Sequence, residues 1–280
     1  MNSQAANIAH NLVFSLERNV ILSKRPDGKF LARSERRLIA EVRRTWKKQL
    51  DYVVEKLKNV SAFKQEQNSI FTNATEDEIN RIVNNLPYRE DLVESVMVYM
   101  KVSMEKGGKT AVKKLNLGKF GISFSLQNKK AIDFLNAKKS LELSNYRGNI
   151  HQTTKTNIAR ILVDAAKSGQ SYQKTAQLIM EQGKAGVFSP ARAQLIATRE
   201  VGVAYETGNN IPIREFQAEN PDRAVMKYWQ TVEDDRVTEE CAANEDGGWL
   251  HLAEAFDSGD DHAPRLGNPR CRCFTKYEIQ

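Results

Sequence analysis

The chain has 280 residues, of which 40% are apolar and 28% charged, with 15 Gly and 7 Pro. This is the composition of a globular protein of about two domains, and it excludes a disordered or low-complexity chain. The net charge is +7 but is unevenly placed: residues 1–150 carry +11 and residues 151–280 carry −4. The asymmetry points to an acidic partner for the N-terminal half, either nucleic acid or an acidic protein surface, unless the basic face is simply solvated. Unbroken apolar runs reach about five residues, far from the ~20 of a membrane span, so no membrane role is expected. The N-terminus lacks the basic and apolar regions of a secretory signal. The three Cys all follow residue 240. They close no disulfide framework and fit a reducing compartment.

In chain order, Ile8, Leu12, Val13 and Leu16 suggest a short first helix, broken by Pro26 and Gly28. A long helix follows, with Ser34 as its expected N-cap. Ile39, Val42, Trp46, Leu50, Val53 and Leu57 form one apolar stripe. The stretch 24–48 holds ten Lys/Arg against three acids. Arg36, Arg37, Arg43, Arg44, Lys47 and Lys48 are therefore candidates to meet phosphate or an acidic protein surface. Thr75 starts a second helix with a capping-box pattern, and Pro87 stops it. Leu92–Glu105 reads as a helix closed by Gly107-Gly108, with a basic loop to Lys119. Ile122, Phe124 and Leu126 alternate, as a short strand or an extended lead into the next helix. Asn128–Leu143 and His151–Lys167 are helical, Ser171 caps another helix, and Ser189-Pro190 starts the last, ending at Gly208. Val225–Thr231 alternates Val, Tyr, Trp and Thr like a strand. The fold class expected is α+β: a mostly α-helical body followed by a small β-containing C-terminal module.

Nucleotide-binding and hydrolase signatures are missing. Gly107-Gly108-Lys109-Thr110 lacks the earlier glycine and preceding strand of a phosphate loop. Cys241, Cys271 and Cys273, with His262 or His251, offer a zinc ligand set of three thiolates and one imidazole. His262 is favoured because it lies nearer Cys271. Against this, Cys271 and Cys273 would point to opposite faces of a strand. A metal-free Cys241–Cys271 contact and plain core packing remain alternatives. Arg199-Glu200 and Asp234-Asp235-Arg236 have neither a neighbouring His nor a nucleophile, so no catalytic residue is assigned.

The C-terminal motifs form a recognisable order. Ala197-Thr198-Arg199-Glu200 is followed by Lys227-x-Trp229-x-Thr231, then Asp234-Asp235-Arg236-Val237, and the chain closes on Cys271-Arg272-Cys273. This arrangement, over roughly residues 150–277, resembles the head-morphogenesis domain of phage Mu F-like minor capsid proteins. Where such proteins commonly carry a His, five residues after Arg236, this chain has Cys241, which exchanges one metal ligand type for another. The resemblance divides the chain into a basic helical region, 1–148, and a Mu F-like domain, 149–280. Arg199, Glu200, Lys227, Trp229, Asp234, Arg236 and Arg272 are its structural motif residues. It implies a non-enzymatic interior virion or procapsid component, present in the host cytoplasm during assembly. The implied partners are the portal protein, double-stranded DNA, and a scaffold or major capsid protein. No cofactor is expected beyond a possible structural zinc. Two other readings are weighed: a toxin-like effector enzyme, and a zinc-containing DNA-binding protein. The first lacks clustered acids and Cys in residues 1–150; the second lacks paired Cys-x-x-Cys units and a groove-reading helix.

Overall fold

The computed structural model describes residues 25–60, 73–144, 149–186, 188–264, 267–268 and 270–280. The expected helix around Ile8–Leu16 lies outside them. The helices are α1 (Gly28–Leu57), α2 (Asn73–Asn84), α3 (Arg89–Lys114), α4 (Lys129–Leu143), α5 (Ile150–Lys167), α6 (Tyr172–Ala185) and α7 (Pro190–Glu219). Then come β1 (Val225–Gln230), α8 (Glu239–Asp246), β2 (Trp249–His251) and β3 (Phe274–Ile279). The strands form one antiparallel sheet in the order β2-β1-β3. The α+β expectation therefore holds, with the sheet at the C-terminal end.

Several helix ends follow from local chemistry. At α7 the Ser189 hydroxyl accepts from the Arg192 amide at 3.1 Å, and at α6 Ser171 accepts from Lys174 at 3.3 Å. Asn149 caps α5, its Oδ1 accepting from the Gln152 amide at 2.7 Å. Each side-chain oxygen satisfies an amide with no partner inside the helix.

Other expectations are corrected. Ser34 is not a cap: α1 begins at Gly28, and Ser34 is buried inside it. The Asp27 carbonyl accepts from the Leu31 amide at 3.0 Å, so the first turn closes just after Pro26. Thr75 is likewise the buried third residue of α2 rather than its cap. The stripe of α1 passes through Leu38, fully buried, rather than Ile39, which is half-buried. Of the two readings of residues 122–125, no strand forms, and the segment leads toward α4.

The largest corrections concern glycine. Neither Gly107-Gly108 nor Gly208 ends a helix: α3 continues to Lys114 and α7 to Glu219. A Cβ on Gly107 would stand 2.0 Å from the Tyr205 carbonyl oxygen, and one on Gly208 would stand 2.1 Å from that of Met104. The two glycines let the backbones of α3 and α7 touch, which no residue with a Cβ permits. Pro212 sits inside α7 and leaves the Gly208 carbonyl without its usual amide. Ile211, Ile213 and Phe216 are buried on either side of it, and their packing outweighs the lost bond.

By contacts, the chain forms two compact units, each assembled from separate segments. Among the described residues, one holds those within 25–36, 99–133 and 197–280; the other holds those within 37–98 and 134–196. This division follows packing, whereas the boundary at 148/149 follows composition and motif. In the second unit α2 packs on α5 and α5 on α6. Its core holds Val42, Trp46, Ile79, Leu92, Ile158 and Leu162. Trp46 meets Phe188 edge-to-face at 5.9 Å, beneath the Arg192 guanidinium at 4.9 Å. In the first unit Ala111, Leu117, Ile122, Ile213, Phe216, Val225 and Leu252 form one apolar cluster. Trp229, Cys241, Phe256, Ala263, Cys271 and Cys273 form another.

Candidate functional site

The motif residues of the C-terminal module gather around β1, the central strand. Its buried positions alternate: Val225, Lys227 and Trp229 face inward, as a period of two dictates. Val225 joins the first apolar cluster and Trp229 the second. Between them lies Lys227, with no exposed surface. Its ammonium donates to the Asp261 carbonyl at 2.7 Å and lies 3.4 Å from Asp261 Oδ1. It also lies 4.9 Å from the centre of the Phe256 ring. Burial pulls the Lys227 pKa down while Asp261 pulls it back up. Asp261 also accepts from the Arg214 guanidinium, and Arg214 Nε donates to Asn210 Oδ1 at 2.8 Å. Asn210 donates in turn to the Tyr277 hydroxyl at 2.9 Å. The buried cation is therefore compensated by a chain of polar groups running from β1 through α7 to β3.

A second ionic tie closes the end of the module. Asp234 Oδ1 accepts from the Arg236 amide at 3.0 Å, the short side-chain turn typical of Asp. Its other oxygen accepts from the Arg272 guanidinium. Both side chains are about nine-tenths buried. The Asp-x-Arg and Cys-Arg-Cys motifs, 38 residues apart, thus meet through one carboxylate. Glu245 accepts from the Thr231 hydroxyl and amide and from Gln230, anchoring the end of β1 to α8. Glu200 is buried and Arg199 half-buried, both on α7.

Beside Trp229 the three cysteines converge. Cys241 is the third residue of α8, whose cap is Thr238; Cys271 and Cys273 lie just ahead of β3. All three are buried with reduced thiols. Their sulfurs lie within 4.8 Å of one another, and Cys241 and Cys271 are 3.7 Å apart. The objection that Cys271 and Cys273 must diverge fails here. They precede the regular strand, on a turn whose Cys271 amide donates to the Asn268 carbonyl at 3.0 Å. Cys241 is pulled toward the thiolate by hydrogen bonds from Cys271, then Cys273. The contact with Cys241 pushes Cys271 and Cys273 upward.

The histidines are not brought to this cluster. His262 Nδ1 donates to the Ala263 carbonyl at 2.7 Å, and burial lowers its pKa. His251 is exposed, its Nδ1 accepting from the Ala253 amide at 3.3 Å. Among the described residues, only the three cysteines form a group of His, Cys, Asp or Glu within 4.8 Å of one another.

The basic candidates lie on α1. Arg36, Arg37, Arg43, Arg44, Lys47 and Lys48 are all exposed, at the three-four spacing of one helical face. Arg44 pairs with Glu41 at 2.9 Å, Arg36 Nε donates to the Ala32 carbonyl at 3.3 Å, and Lys48 sits 5.0 Å above the Tyr88 ring.

Two inward-facing acids carry no mark in the sequence: Asp27 is half-buried and Glu206 is fully buried. Asp27, at a positive φ of 52°, turns its carboxylate inward. It accepts from Thr110 at 2.5 Å and Tyr205 at 3.0 Å and pairs with Lys106 at 3.0 Å. Burial works against its charge, but these donors prevail and lower its pKa. Glu206 is 1% exposed, and burial raises its pKa to about 7 against the pull of Arg25. Both acids lie among residues far away in the chain, and no local motif marks them.

This geometry defines an α+β structural module. A three-stranded sheet is tied to α7 through Asp261, which receives both Lys227 and Arg214, and to α8 through hydrogen bonds to Glu245. Residues 156–276 match the family described as Phage Mu protein F like protein. The match supports, at family level, a phage head-morphogenesis domain in this part of the chain. The family is generally structural. No match was found among curated proteins or among solved structures. No helix among the described residues is long and apolar enough to cross a membrane.

Proposed function

We propose that the protein is a non-enzymatic interior component of the phage head that associates with the portal ring and with packaged DNA. The observation that carries this reading is the family match over residues 156–276. The exposed basic face of α1 supports the DNA contact: six cations on one helical face suit a phosphate backbone. In this reading the protein is made in the host cytoplasm and enters the procapsid. There the portal, or the scaffold or major capsid protein beside it, retains the Mu F-like domain, and the basic helix meets nucleic acid without reading sequence.

The test is a charge reversal of Arg36, Arg37, Arg43 and Arg44 to Glu in the full chain. The fold should survive, because Leu38, Val42, Trp46 and Leu50 are untouched and surface ion pairs such as Arg44–Glu41 contribute little. If about four cations touch phosphate, log affinity for duplex DNA falls with log salt at a slope near −4. The variant should lose most of that slope and still co-purify with portal. DNA binding unchanged at several salt concentrations overturns the DNA contact. Loss of portal binding alone assigns the basic face to the portal. Failure of the unaltered protein to co-purify with portal overturns the association.

A further inference from the structure

We propose that Cys241, Cys271 and Cys273 form a three-thiolate site for a soft divalent cation, zinc(II), which staples α8 to the segment ahead of β3. Three observations carry this. The first is spacing. Four ligands at a zinc–sulfur distance of ~2.3 Å stand about 3.8 Å apart at the corners of a tetrahedron. Cys241 and Cys271 are 3.7 Å apart, and the third sulfur lies within 4.8 Å of both. A disulfide needs ~2.05 Å, so the sulfurs hold the edge of a metal site rather than a bond.

The second is convergence. Cys241 comes from the first turn of a helix, and the other two come 30 and 32 residues later from a turn before a strand. Chance packing of small apolar residues gives no reason for three sulfurs, rather than three methyl groups, to meet. The third is the shell. Trp229, Phe256 and Ala263 surround the cluster, all at most 2% exposed. Low dielectric favours a neutralising ion over shared thiol protons. A divalent ion offsets two of three thiolate charges where a monovalent ion offsets one, which favours zinc over copper(I).

Loading is written as three thiols and one zinc(II) giving the tris-thiolate complex, with three protons released to solvent and no change of oxidation state. The fourth position falls to a water molecule, because no other His, Cys, Asp or Glu among the described residues lies within 4.8 Å of all three sulfurs.

The experiment uses the full chain purified under reducing conditions. It is loaded with zinc(II) or cobalt(II), desalted, and analysed for metal by mass spectrometry and visible absorption. About one zinc per chain is expected, together with thiolate-to-cobalt charge-transfer and four-coordinate cobalt bands. Cys241→Ala and Cys273→Ala should each reduce bound metal at least tenfold, whereas His262→Ala should retain it. Should the Cys variants fail to fold, the cobalt spectrum of the unaltered chain and its loss with chelator decide. Metal-free protein after zinc loading overturns the proposal. So does a Cys241–Cys271 disulfide in protein kept reduced, or preference for copper(I) over zinc(II). Loss of metal in His262→Ala overturns the three-thiolate assignment.

Discussion

The two compact units solve burial in different ways. The unit built on 37–98 and 134–196 is a helical packing of aliphatic stripes around Trp46, with Asn149, Arg89 and Glu142 tying helix ends together. The unit holding the sheet places charge inside: Lys227, Asp234, Arg272, Glu206 and the three cysteines are all buried or nearly so. Each has one fully buried Trp set edge-to-face against a Phe, Trp46 with Phe188 and Trp229 with Phe256. Helices bury enough apolar surface through their stripes to need few internal charges. A three-stranded sheet buries less and is fastened by polar bonds instead, which gives geometric definition at a desolvation cost.

Truncating the two rings tests that contrast most strongly. Trp229→Ala should cost about 3–5 kcal/mol, as should Trp46→Ala, because both lose a whole buried aromatic. Chemical denaturation followed by circular dichroism measures both. A loss below about 1 kcal/mol for Trp229 would mean that the polar ties alone hold the sheet module, breaking the comparison on its own ground.

The pH response should divide the units by sign. Burial raises Glu206 from its ordinary 4.5 to about 7, so the folded chain binds a proton that the unfolded chain releases above 4.5. Its contribution is present below pH 4.5 and is lost as pH rises through 7. Burial, with Arg89 nearby, lowers His151 from 6.5 to about 4. Its contribution is present above 6.5 and is lost as pH falls through 4. Each effect is on the order of a few kcal/mol. Glu206→Gln should flatten the alkaline fall and leave the acid fall; His151→Phe should do the reverse. Hydrogen exchange resolved by unit, across pH 4 to 7, reads the two effects separately. If Glu206→Gln leaves the stability of the sheet unit equally dependent on pH, the buried acid is not its titrating group.

The smallest of these effects concerns backbone contact. Gly208→Ala should cost about 1–3 kcal/mol, since the new methyl group meets the Met104 carbonyl. Gly118→Ala, with open space around its Cβ, serves as the control and should stay within about 0.5 kcal/mol. Thermal melts of the pair sharpen the picture of the sheet unit. Equal melting temperatures would mean that α3 and α7 do not depend on their contact.

What could be read from the amino-acid order was whatever depends on neighbours in the chain. Ser171 and Ser189 cap their helices because a side-chain oxygen needs to reach only three residues ahead. The stripe of α1 and the alternation of β1 are visible because periods of 3.6 and 2 repeat within a few residues. The motif order over 150–277 was likewise visible, and the family match covers 156–276. Tertiary structure decided what depends on distant partners. Gly107 and Gly208 look like helix ends until each is found against the other's helix. Ser34 looks like a cap until α1 is seen to start at Gly28. Nothing near Lys227 in the chain shows how its buried charge is met until Asp261, far along the chain, receives it. The three cysteines meet, and His262 stays apart, because loops close by packing and not by sequence spacing. Local rules place each residue on its element, and only the packing of the elements decides which side chains share a site.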